Sequence, residues 1–173
     1  MIVSLISIMD AENASMHLKV PFEREHVIIR GVNFPVLPGE AIDLTVTHVK
    51  KDEWKIEGKG NVRVEIPCDR CLVPVQVDIP LFIDEELKMS GEALDAYDDE
   101  MPYMEGYDLD ADQLICSEIL IGWPVKTLCK ETCLGICKTC GANRNLKPCG
   151  CEDFTPDPRM AAIRDIFTKN KEV

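Results

Sequence analysis

Residues 41–79 read AIDLTVTHVKKDEWKIEGKGNVRVEIPCDRCLVPVQVDI, and their period decides the fold. Ile42, Leu44 and Val46 alternate with polar neighbours, and so do Trp54 and Ile56, then Val62, Val64 and Ile66, then Val73, Val75, Val77 and Ile79. A period of two puts every second side chain on one face, the pattern of a half-buried strand. Successive runs of this kind, parted by short breaks, predict a meander of antiparallel strands over residues 41–89. One turn is expected over residues 58–60, where Gly58 and Gly60 interrupt the apolar positions, and another at the cysteine pair of PCDRC.

Upstream, VIIRGVNFPVLPGE (27–40) is a further strand-like piece closed by prolines and Gly39. Downstream, a loop is expected over residues 90–108. Asp110 then stands as an N-cap with Gln113 three places on, and Leu114, Ile115, Glu118 and Ile119 follow at helical spacing until Gly122 and Pro124 stop the helix. A second helix is expected after Asp157, with Pro158 in its first turn and Ile163, Ile166 and Phe167 on its apolar face. The fold class that follows is α+β. An antiparallel β-meander domain with an acidic loop and one helix spans 1–125, and a Cys-rich zinc-binding lobe with the C-terminal helix spans 126–173.

The chain has 173 residues, 46% of them apolar, enough for a real core without disulfide staples. MIVSLISIMD at the start lacks a basic segment and a small-residue cleavage site, and no apolar run reaches spanning length, so a soluble, cytoplasmic protein with no membrane partner is expected. In a reducing compartment nine cysteines point to metal or redox chemistry, and an odd count leaves one unpaired in any disulfide scheme.

Six of the nine lie in CKETCLGICKTCGANRNLKPCGC (129–151). Cys137 and Cys140 form a CxxC followed by Gly141, a knuckle whose tight turn aims both thiolates inward; Cys149 and Cys151 share a face if locally extended. These four make one all-thiolate zinc cage. Cys129 and Cys133, one helical turn apart, and Cys68 and Cys71 in the strand turn are two half-sites without another partner, which suggests a second cage tying the turn to the lobe. Six clustered cysteines feeding one site with two spare, and an unmetallated CxxC, stay open on spacing alone. Cys116, on the predicted helix, reads as a small apolar residue.

Catalytic patterns are missing. CxxxCxxC (133–140) has the spacing of radical enzymes built on an iron–sulfur cluster, but only 33 residues follow it, too few for a barrel. PCDRC matches half of a zinc deaminase signature with no HxE upstream, and a thioredoxin-like CxxC would need a βαβ setting. His17, His26 and His48 stand singly among strands, as surface or packing residues. No phosphate-binding glycine loop and no GxSxG occurs, and four thiolates leave a zinc ion no open position, so no enzyme and no small-molecule substrate are expected.

Charge is split along the chain. Residues 1–125 carry 10 Lys and Arg against 25 Asp and Glu, whereas residues 126–173 carry 9 against 6. Residues 84–112 alone hold 12 acids and one base, Lys88. Such a run is a solvated loop or a docking site for a basic partner.

CDRCL, an acidic stretch, a helix ending in GWP, LCKETCLGICKTCGANRN, CGC and DPRMAAI occur in that order over residues 60–167 and resemble the YceD family of bacterial ribosomal RNA accumulation proteins. The resemblance implies a cytoplasmic factor needed for accumulation or processing of 23S ribosomal RNA, with the RNA or a pre-ribosomal particle as partner. It also implies that Cys68, Cys71, Cys129 and Cys133 belong together, and that Cys137, Cys140, Cys149 and Cys151 form an extended cluster. Leu134 stands where a lysine is common and Arg144 where a leucine is usual, which leaves local charge balanced.

Lys126, Lys130, Lys138, Arg144 and Lys147 surround the cysteines, with Glu131 alone opposing them over residues 126–148. They are candidates for phosphate contact, or else they compensate the thiolates and keep the lobe soluble. A competing class is an acidic adaptor that docks a basic ribosomal protein through residues 84–112 without touching RNA. A third is a redox switch in which oxidation ejects zinc.

Overall fold

The computed structural model describes residues 1–88 and 102–151. The helix expected after Asp157 lies outside the described residues, as does the middle of the acidic run. In chain order come β1 (Ile2–Ser4), α1 (Ile6–Met9), β2 (Ala14–Val20), β3 (His26–Ile29), β4 (Val32–Leu37), β5 (Ile42–Lys50), β6 (Glu53–Pro67), β7 (Pro74–Lys88), β8 (Met104–Glu105), β9 (Asp108–Asp110) and α2 (Ala111–Ile121). The class is α+β: antiparallel sheets, helices, and a Cys-rich segment after α2.

The alternation in residues 41–79 becomes a hairpin of two long strands. β6 pairs with β7 over its whole length, from Glu53↔Lys88 to Pro67↔Pro74. Its other edge is shared: β5 takes residues 53–59 and β4 takes Arg63 and Val64. β2 extends the sheet beyond β5, and β3 beyond β4, where Arg30 and Gly31, both at positive φ, make the two-residue turn that suits strand twist. Ile42, Leu44, Val46, Trp54, Ile56, Val64, Ile79, Leu81 and Ile83 form the buried face.

No turn occurs over residues 58–60. β6 runs straight through them, and the chain reverses instead at Lys51 and Asp52. Gly58 and Gly60 occupy core-facing positions in the alternation, and their missing side chains are replaced by those of neighbouring strands. A Cβ on Gly58 would stand 2.4 Å from Leu44 Cδ2, and one on Gly60 would stand 2.7 Å from Ile42 Cγ1. Glycine in a strand marks close approach as readily as a bend, and here approach is the reason.

The loop expected over 90–108 is also corrected at its end. β8 and β9 form a small hairpin, and β9 pairs with β1 through Val3↔Leu109 in a second, three-stranded sheet. Leu5, fully buried, donates from its backbone to Tyr107 O at 2.9 Å. α2 follows at once, packed on β7 and β1. Its Asp110 cap accepts from the backbone N–H groups of Asp112 and Gln113 at 3.1 and 3.2 Å, as the sequence predicts, and Gly122 ends it. Leu114, Ile115 and Ile119 close the core. His17 and His26 are exposed; His48 is buried, stacked on Trp54 with ring centroids 4.5 Å apart and Nδ1 3.1 Å from Ala11 O. Among the described residues no helix is long and apolar enough to cross a membrane.

Candidate metal centres

The tip of the β6–β7 hairpin is the first half of a sulfur site. Pro67 and Pro74 end the ladder, and between them Cys68 N–H donates to Val73 O at 2.8 Å while Leu72, at φ +62°, donates to Cys68 O at 2.9 Å. This tight loop directs both thiols of CDRC to one side. Asp69 and Arg70, the residues between the thiols, bind the segment after α2. Asp69 N–H donates to Thr127 O at 2.9 Å, and Thr127 N–H returns a bond to Asp69 Oδ2 at 2.8 Å. Arg70 donates from its guanidinium to Cys133 O at 2.8 Å, and its own carbonyl accepts from Ile136 N–H at 3.0 Å.

These bonds carry Cys129 and Cys133 over the hairpin tip. Cys68 Sγ stands 3.9 Å from Cys133 Sγ, and Cys71 Sγ stands 3.5 Å from Cys129 Sγ. All four sulfurs lie within 4.8 Å of one another. Cys68, Cys71 and Cys133 are buried with Val75 and Leu128 packed beside them, in a small cluster separate from the main core. Sulfurs at these distances are free thiols, far beyond the separation of a disulfide, about 2.05 Å.

The second group is built by the chain folding on itself. Cys137 N–H donates to Ala142 O at 2.8 Å, and Gly141 N–H donates to Cys137 O at 2.9 Å with Gly141 at φ +72°, the conformation glycine takes most readily. Cys149 and Cys151 return to this knuckle, and the sulfurs of Cys137, Cys140, Cys149 and Cys151 again lie within 4.8 Å of one another. This group is the more open, with Cys140 exposed and Cys149 and Cys151 half-buried.

Asn145, on the returning chain, supports the first group. Its Nδ2 donates to Cys133 Sγ at 3.3 Å, its Oδ1 accepts from Leu134 N–H at 2.9 Å, and Asn143 Oδ1 accepts from both its backbone and its side chain at 2.9 Å. Gly135, at φ +74°, lies so close to Arg70 that a Cβ would stand 3.0 Å from Arg70 O. Asp69, Arg70, Thr127, Gly135, Asn143 and Asn145 are site residues that cysteine spacing does not single out. The one hint is positional: each lies within a cysteine motif or beside it.

The electrostatics suit a cation. Burial opposes ionisation of Cys68, yet the backbone N–H groups of Arg70, Cys129 and Cys71 bring its pKa down to about 6. Cys137 also falls to about 6, through the N–H groups of Cys140 and Thr139. Cys129 is pushed up to about 12 by its hydrogen bond with Cys71 and by burial, and Cys151 to about 12 by its bond with Cys140 and by burial. Each group gives up a first proton readily and resists giving up the last, because every later thiolate meets the charge of the first. A divalent cation at the centre removes that repulsion, and each set of four thiols could hold one metal ion.

Cys116 belongs to neither group. It sits half-buried on α2 against the core, where burial raises its pKa, the environment of a packing residue. Lys126, Lys130, Lys138 and Lys147 are exposed, with no salt bridge among the described residues, and Arg144 is half-buried with its N–H on Gly135 O at 2.9 Å.

Neither the curated proteins nor the solved structures contain a match to the chain. The family model described as "Large ribosomal RNA subunit accumulation protein YceD" matches residues 56–167, from the first part of β6 through both sulfur groups. That family is named for accumulation of the large-subunit ribosomal RNA and is not a known enzyme family. With more than half of its length matched, the chain belongs to the YceD family.

Proposed function

We propose that this protein is a non-enzymatic zinc factor that supports accumulation and processing of 23S ribosomal RNA in the cytoplasm, through a lobe over 126–173 that two zinc ions shape. Cys68, Cys71, Cys129 and Cys133 hold one ion, and Cys137, Cys140, Cys149 and Cys151 hold the other. The carrying observation is the sulfur spacing. Four sulfurs arranged tetrahedrally about zinc at about 2.3 Å stand about 3.8 Å apart, against 3.9 Å for Cys68–Cys133 and 3.5 Å for Cys71–Cys129. An all-thiolate shell has no open position for water, so the ions hold shape and support no reaction.

The first site fixes the lobe to the hairpin tip; the second folds its outer loop. Lys126, Lys130, Lys138, Arg144 and Lys147 together balance Glu131 and the formal charge of the two thiolate cages, and the exposed lysines among them can meet phosphate at the surface. The adaptor reading is weaker because some of the acid in residues 84–112 is already engaged. Asp84 pairs with Lys55 at 3.2 Å, and Asp110 caps α2.

Elemental analysis of the full chain purified without chelator tests the metal assignment. Two zinc ions per chain are expected, falling to one in Cys68→Ser. One zinc in both proteins, or iron in either, overturns it.

A further inference from the structure

The outward side of the lobe carries apolar side chains that the metal sites do not use. Burial alternates along residues 133–138: Cys133, Gly135 and Cys137 face inward, while Leu134, Ile136 and Lys138 face solvent. The returning chain lies directly alongside, with Asn143 bridged to Ile136 and Asn145 bonded to Leu134 N–H, which brings in Leu146 and Lys147. Leu134 is 64% exposed, Ile136 39% and Leu146 83%. Both legs are held by backbone bonds, Cys137 to Ala142 and Arg144 to Gly135, so the surface is set before any partner arrives.

We propose that this face binds unpaired nucleotides of RNA, with Leu134, Ile136 and Leu146 against exposed base faces and Lys138 and Lys147 on the flanking phosphates. The inference rests on the RNA-contact reading above and names the class of RNA. A polyanion is the partner that fits this face: the five bases of residues 126–148 balance Glu131 and the formal charge of the two zinc–thiolate cages, and the exposed Lys138 and Lys147 present positive charge at the surface while Cys133 and Cys137 lie buried beneath it. A duplex does not explain the leucines. A-form helices stack their bases inside and offer 2′-hydroxyls and phosphates, whereas loops and single strands present base faces that apolar side chains can cover. The stretch 129–151 contains no aromatic residue, so the contact is apolar packing and not ring stacking.

The test uses full-length, zinc-loaded protein and fluorescence anisotropy with a short single-stranded RNA and its blunt duplex, each across a salt series. Tighter binding of the single strand is expected. In Leu134→Ser/Leu146→Ser, with zinc content unchanged, single-strand affinity should fall by about tenfold or more, the loss expected when the burial of two leucine side chains is forfeited, while duplex affinity and the salt slope hold. Lys138→Ala/Lys147→Ala should lower the slope for both RNAs. Equal affinity for the two RNAs, or an unaffected leucine variant, overturns this inference and leaves the RNA-contact reading standing. Failure to bind either RNA overturns both. If the leucine variant instead converts a dimer to a monomer in sedimentation, with RNA affinity unchanged, the face belongs to a second copy of the chain and the inference falls.

Discussion

Asn145 ties the returning leg of the lobe to the outgoing one: its Nδ2 reaches Cys133 Sγ and its Oδ1 holds the backbone at Leu134. An N–H donor favours a thiolate: burial raises the pKa of Cys133, and the backbone N–H of Gly135 together with this Asn145 bond helps to bring it below the ordinary thiol value. Asn145→Ala should cost about 1–2 kcal/mol of stability, read as a lower thermal midpoint of the zinc-loaded protein. Asn145→Asp should release metal faster than Asn145→Ala in a chelator competition, since it sets a carboxylate where the thiolate needs a donor. Equal release from the two would mean that the Nδ2 contact does not stabilise the site. The cysteines themselves are legible at this scale because CxxC followed by glycine is a local turn geometry. Asn145 is not, because nothing in NRN distinguishes an ordinary turn asparagine from one that bonds a sulfur twelve residues away.

At the level of elements, β6 is where glycine misleads. Gly58 lies opposite Leu44 and Ile83, and its Cβ would also stand 3.0 Å from Asp43 O. Gly58→Ala should therefore destabilise the fold by about 1–3 kcal/mol, as overpacking does, measured by urea unfolding. An exposed turn glycine would tolerate the same change far better. α2 supplies a second expectation. Burial, with the charge of Glu85 behind it, raises the pKa of Glu118 above the ordinary carboxylate value. Between the unfolded and folded pKa values the native state binds more protons than the unfolded chain, so stability falls as pH rises through that window. Glu118→Gln should melt higher than wild type at pH 8, with the difference shrinking as pH falls toward the unfolded value of about 4.3. A difference independent of pH would assign the gain to packing. The helix itself is legible because Asp110 and Gln113 are near neighbours, whereas β8 and β9 are too short to show a period, and β9 takes its second partner from β1, far away in sequence.

Across the whole molecule, the two sulfur groups and the hydrophobic core are separate bodies of interaction. The core of Leu44, Ile56, Val64, Ile79 and Ile115 holds none of the eight grouped cysteines, while the lobe depends on them and on a few bonds from Asp69 and Arg70. Removing the proposed zinc ions with a chelator should therefore expose residues 126–151 to limited proteolysis while the far-ultraviolet signal of the strands persists. Loss of strand signal in step with metal would mean that the metal sites support the core as well.

Strand periodicity, the Asp110 cap, the knuckle at Cys137 and Cys140 and the division of charge are determined by the sequence alone. Each depends on neighbours a few residues apart, whose geometry the backbone sets directly. Which half-sites meet is decided by the tertiary structure: Cys68 and Cys133 are 65 residues apart, and only the β6–β7 hairpin, with Asp69 and Arg70 at its tip, brings their sulfurs together. The same holds for Gly58, whose role depends on which strand lies beside it. A residue's contacts across the chain follow from how whole elements pack, and no local period encodes that packing.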